Sequence, residues 1–186
     1  MLYLLSVTRG RKGGEFGHCR LQLICNGPEK EPAAASLRQT VDVHRSLLRW
    51  LDNEVPPEHS DDLVALHRHF YEAARKESGL QARAVTLALK DFVQRRRGKI
   101  VEGAPLDEKL YGLKGIELVS IATLNGRITI PFRVAGYGAE WNGKSPARLV
   151  HSLESRSPAI GASCSDGDRF ELSIAVSLSV AVAALG

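Results

Sequence analysis

The stretch YGLKGIELVSIATLNGRITIPF, residues 111–132, constrains the fold of this chain more than any other. Apolar and polar residues alternate on both sides of Asn125-Gly126, a dipeptide that favours a two-residue type I′ turn because both central positions need positive φ. With Leu124 facing Arg127, the expected register sets Thr123 opposite Ile128, Ile121 opposite Ile130 and Val119 opposite Phe132. Val119, Ile121, Ile128, Ile130 and Phe132 then share one face. Ser120, Ala122, Arg127 and Thr129 share the other, with Leu118 and Leu124 among them. A one-residue slip would turn the whole apolar set to solvent, so turn and alternation support each other. Pro131 has no N–H to give a ladder, and the second strand is expected to end, bulge or lie at an edge there.

Around this hairpin the pattern changes twice. Residues 1–17 read as a mobile basic lead-in, glycine-rich over RGRKGGEFG (9–17), and HCRLQLIC (18–25) alternates as a strand. Three helices follow. The first is expected from Ser36 to Val55, with Ser36 and Gln39 as a capping box and Leu37, Val41, His44, Leu47, Leu48 and Leu51 as its apolar stripe. The second is expected to begin near Ser60, with Asp61 and Asp62 where the helix dipole favours anions. Its buried side is Leu63, Leu66, Phe70, Ala73 and Ala74, and Gly79 is its stop. The third spans about 80–96, with Val85, Ala88, Leu89, Phe92 and Val93 inward, and runs into RRRGK (95–99). After Pro105 the chain turns to strands: a short one near 109–113, the hairpin, and a tail in which Phe170, Leu172, Ile174, Val176, Leu178, Val180 and Val182 alternate with polar residues. Residues 138–165 read as loop with at most a short helix around 145–154. The expected fold class is α+β: a small antiparallel β-barrel or sheet built from 18–35 and 100–186, with a three-helix bundle, 36–99, inserted.

Length, 186 residues, suits one ordinary domain, and a net charge of +4 with a pI near 9.1 leans towards a polyanionic partner. Arginine outnumbers lysine 17 to 8, which suits phosphate recognition by a planar fork of donors, and biased coding would give the same ratio. Cys19, Cys25 and Cys164 have no paired metal spacing, and an odd count argues against a disulfide framework, so a reduced, cytoplasmic location is expected. The N-terminal MLYLLSV has no basic residue ahead of a short apolar run, and the uncharged end from Leu172 alternates like a strand; neither reads as a membrane segment.

Catalytic patterns are missing. His67 and His69 stand two apart on a helix and cannot chelate one metal together, and glycines 10, 13 and 14 lack the lysine and hydroxyl residue of a phosphate loop. No nucleophile elbow is present. No metal and no other cofactor is expected, and no small-molecule substrate. RRRGK is the densest cationic run, either a solvated helix end or a set of phosphate contacts. The candidate nucleic-acid-binding residues are Arg45, Arg49, Arg95, Arg96, Arg97, Lys99, Lys114, Arg127 and Arg133, with Trp50, Tyr71, Tyr111, Tyr137 and Trp141 available for base stacking.

The order of these pieces resembles the N-terminal half of the OrfB/TnpB family, the RNA-guided nucleases of insertion sequences. The likeness lies in a Leu-x-x-Thr helix (Leu37 to Thr40), a Gly-Leu helix start at Gly79, the Lys114-Gly115 and Val119-to-Pro131 segment, and a strand from Asp166 to Val176. It covers about residues 36–180. It implies a wedge domain carrying an inserted helical recognition domain, which in relatives cradle the guide RNA and its heteroduplex and help read a short DNA motif. In the family the strand matched by 170–180 leads into a RuvC-like nuclease domain with three metal-binding carboxylates and a four-cysteine zinc insert. No acidic residue follows Glu171 here. The expectation is therefore a truncated, non-catalytic protein that binds guide-type structured RNA, DNA or both through a basic surface. A decayed reading frame and an accessory subunit that completes a separate nuclease chain are the alternatives. With about six phosphate contacts, affinity would fall roughly 10³-fold between about 50 and 200 mM salt.

Overall fold

A computed structural model describes residues 8–9, 15–99, 103–115, 117–135, 147–152 and 169–177. Strands β1 (Thr8–Arg9) and β2 (Glu15–Leu23) precede helices α1 (Glu31–Glu54), α2 (Leu63–Ser78) and α3 (Ala82–Arg96). Then come β3 (Ala104–Leu106), β4 (Tyr111–Lys114), β5 (Leu118–Thr123), β6 (Gly126–Ala135), β7 (Ala147–Ser152) and β8 (Arg169–Ser177). The described strands pair antiparallel in the order β3-β7-β8-β2-β6-β5-β4, with β1 on β2. The chain is thus mixed helix and antiparallel sheet, as the α+β expectation has it. No described helix is long and apolar enough to cross a membrane.

Two cores fill it. One lies under the strands and gathers Leu21, Leu23, Tyr111, Val119, Ile121, Ile130, Phe132, Phe170, Leu172 and Ile174. The other lies among the helices, with Leu47, Leu48, Leu51, Leu66, Val85, Leu89 and Phe92. Helix α1 belongs to both: Ala34, Leu37 and Val41 pack on the strands, and Leu47 to Leu51 on α2 and α3. Every residue of its expected stripe is buried, His44 included. The stripe of α3 is buried throughout as well, whereas in α2 only Leu66 and Ala74 are buried and Ala73 is exposed.

Helix boundaries differ from expectation at two starts. α1 begins at Glu31, not Ser36, because Pro32 fits a first turn that needs no N–H and Ala33 to Ala35 carry the helix on. The expected capping box does not form; Ser36 is buried inside the helix. A 3₁₀ turn occupies Pro57–His59, and α2 starts at Leu63 with Asp62 as its cap, accepting from the Val64 and Ala65 N–H groups at 2.8 and 3.3 Å. Gly79 closes α2 in the left-handed region at φ 65°, as expected.

The hairpin forms, but its register lies two residues from the expected one: Ile121 faces Ile128, Val119 faces Ile130 and Thr123 faces Gly126. No described non-glycine residue has positive φ, so Asn125 cannot make a type I′ turn; Leu124 and Asn125 turn, and Gly126 alone takes φ 113°. The cause is tertiary. Leu124 packs its side chain against the helical core, and its N–H donates to Thr40 Oγ1 at 2.9 Å. Asn125 Nδ2 donates to Gln39 Oε1 at 2.8 Å, so the hairpin tip is anchored on α1. A shift of two preserves side-chain parity, which is why the apolar face is still the right one.

Strand β6 runs through Pro131 instead of ending there. Residues up to Pro131 pair with β5, and Phe132 to Ala135 pair with β2. The Pro131 carbonyl accepts from the Ile24 N–H at 2.8 Å, so the proline stands at the last rung of the β2 ladder, where its missing donor costs one bond. Residues 147–152 are strand β7 between β3 and β8, where loop with at most a short helix was expected, because long-range pairing overrides a weak local pattern. Strand also reaches residues 8–9 and 15–17 of the expected mobile lead-in, and α1 crosses residue 36 without a break. The tail strand buries Phe170, Leu172 and Ile174; Leu178, Val180 and Val182 lie outside the described residues.

Candidate nucleic-acid interface

The sheet decides which cations share a surface. Tyr111, Ile121 and Ile128 form one cross-strand row, and Leu113, Val119 and Ile130 another; both face the core. Alternation sends the intervening rows the other way: Gly112, Ser120 and Thr129, then Lys114, Leu118 and Pro131. Arg127, opposite Ala122, and Arg133, opposite Gln22, have the same parity. Lys114, Arg127, Thr129, Arg133 and Gln22 are all exposed. Arg127 and Arg133 are six residues apart on β6, roughly 20 Å at the rise of a strand, with Lys114 beside the segment between them. Towards the tip this outer face is closed over, with Ala122 and Leu110 buried.

Arg127 is not splayed into solvent at the turn. Its Nη1 donates to Ser120 Oγ at 3.3 Å and its Nη2 to the Lys109 carbonyl at 2.7 Å. Lys109 in turn is set by Asp107, whose carboxylate accepts from the Lys109 N–H at 3.0 Å and binds Arg83 of α3. Beneath this, burial pushes the Tyr111 phenol above its ordinary value, and the Glu108 and Asp107 charges push it the same way.

The helical cations are arranged differently. Arg95 Nε lies 3.6 Å from Asp91, which is buried and also meets His44 Nε2 at 3.3 Å. Arg96 lies 3.2 Å from Asp52 and over the Phe92 ring, 5.2 Å from its centroid. Arg97 Nη2 donates to the Asp61 carbonyl at 2.7 Å, tying the end of α3 to the start of α2. Lys99 is exposed beyond Gly98, which takes φ 74°. On α1, Arg45 lies 3.5 Å from Asp42, and Arg49 donates to Ser46 Oγ at 3.3 Å.

The structure therefore brings together Lys114, Arg127 and Arg133 on one sheet face, and Arg95, Arg96, Arg97 and Lys99 at one helix end. Of the stacking candidates, Tyr111 is buried, Trp50 is half-buried against the helical core, and Tyr71 stacks on His67 with centroids 4.5 Å apart. Tyr137 and Trp141 lie outside the described residues. His69 stacks on His59, and among the described residues no three His, Cys, Asp or Glu side chains gather to hold a metal. Lys109, Ser120 and Gln22 were not in the sequence-derived set. An Asp two positions ahead of Lys109 is a local turn signal that points to the first; the other two need the register.

No family model, curated protein or solved structure matches the chain.

Proposed function

We propose that this chain is a non-catalytic nucleic-acid-binding protein that holds structured RNA on the outer face of β4, β5 and β6. The observation that carries this reading is the alignment of Lys114, Arg127 and Arg133, all exposed, on one side of a sheet whose other side is core. A rigid sheet keeps such charges in fixed register, which favours contact with a regularly spaced phosphate backbone. The resemblance to the OrfB/TnpB family supports it further: strands, then three helices, then further strands follow each other along the described chain, an order compatible with a wedge-like domain carrying an inserted helical one.

The test is a stem-loop RNA titration at several salt concentrations. With three backbone contacts, affinity should fall about 40-fold from about 50 to 200 mM salt, at roughly 0.9 in logarithmic slope per contact. The double variant Lys114→Ala/Arg133→Ala should lower that slope by about 1.8. Salt-insensitive binding, or a double variant with the wild-type slope, removes the proposal.

A further inference from the structure

We propose that Arg127, Lys109 and Ser120 form a pre-set fork for a single phosphate group, a site that rests on the polyanion-binding reading and sharpens it. A guanidinium has five N–H donors in one plane. Two are already directed, one to Ser120 Oγ and one to the Lys109 carbonyl, which leaves Nε–H and two others for an incoming anion. Ser120 is only 2% exposed, so its hydroxyl is a fixed acceptor and a positioning group, not a ligand contact. An arginine held this way loses little further freedom when an anion arrives.

Lys109 supplies the second charge. The Asp107 carbonyl accepts from the Leu110 and Tyr111 N–H groups at 2.9 and 3.0 Å, while its carboxylate holds the Lys109 N–H. That turn fixes the carbonyl on which Arg127 rests and starts the exposed lysine side chain next to it. Asp107 is itself bound by Arg83, so its charge is already balanced, and the exposed Glu108 is the other carboxylate of the turn. Thr129, across from Ser120 on β6, adds an exposed hydroxyl. A planar fork, an ammonium and a hydroxyl suit the oxygens of a tetrahedral phosphate, and this face presents no exposed aromatic ring among its described residues to stack a base.

The full chain, labelled with ¹⁵N, is titrated with inorganic phosphate and followed at the Arg127 Nε–H resonance, with stem-loop RNA titrated in parallel. Phosphate should shift that resonance saturably, and about threefold more weakly in Ser120→Ala. Arg127→Lys keeps the charge but not the fork and should bind RNA about tenfold more weakly. Lys109→Ala, a surface change, should weaken RNA binding about threefold at fixed salt. A resonance that phosphate leaves unmoved overturns the fork, as does wild-type RNA affinity in Arg127→Lys. A phosphate response in a chain that binds no RNA keeps the fork and removes the functional reading instead.

Discussion

The outer face of the hairpin sheet and the C-terminal end of α3 carry similar numbers of cations, and the fold uses them in different ways. On the sheet, alternation forces Lys114, Arg127 and Arg133 to one side, and no carboxylate of that face neutralises them among the described residues. At the end of α3, each of three consecutive arginines reaches back into the protein: Arg95 to Asp91, Arg96 to Asp52, Arg97 to the Asp61 carbonyl. The denser run in the sequence is thus the one more occupied with holding helices together. Charge density along a chain says little about where charge is available; the period of the secondary structure says more.

That contrast can be broken or sharpened by experiment. The largest effect is expected at Asp91, which is 1% exposed and serves both His44 and Arg95. Asp91→Ala takes the carboxylate from the buried His44 ring and should destabilise the fold by about 3 kcal/mol in urea unfolding. Its RNA salt slope, measured where it is still folded, should match the wild type. A smaller effect follows at Arg96, whose exposed pair with Asp52 and ring contact with Phe92 are together worth about 1 kcal/mol. Arg96→Ala should show that loss and keep the RNA slope; a fall as large as that of the sheet variant would erase the distinction between the two regions.

The smallest effect concerns the inward side of the same sheet. Tyr111 has its phenol pushed up by burial and by the neighbouring carboxylates, so the unfolded chain ionises first as pH rises past about 10. Its contribution to stability is complete below that pH and is lost above it. Tyr111→Phe should flatten the alkaline fall in unfolding free energy relative to wild type; an unchanged alkaline slope would mean that the ring is wetter than its position implies.

Much of this was readable in the residues. The stripes of α1 and α3 and the inward set of the hairpin follow from periodicity, and the anion at the start of α2, which is Asp62 alone, follows from local helix-end chemistry; both depend only on neighbours along the chain. What could not be read depends on partners far away. The turn at Asn125 is decided by Thr40 and Gln39, and the anchoring of Arg127 by the Lys109 carbonyl. Strand β7 exists because β3 and β8 flank it. The candidate set therefore named Lys114, Arg127 and Arg133 from a register two residues off that keeps the same parity, and it passed over Lys109, whose turn signal at Asp107 does not say that its carbonyl will meet Arg127.

Helix α1 is a single 24-residue rod shared by both cores. Dissection at its middle would therefore go badly: a fragment limited to the helices would lay bare Leu37 and Val41, and one limited to the strands would lose the part of its core that Ala34, Leu37 and Val41 supply. The two halves are bound to mature as one, so damage to the packing of either should be felt in the other.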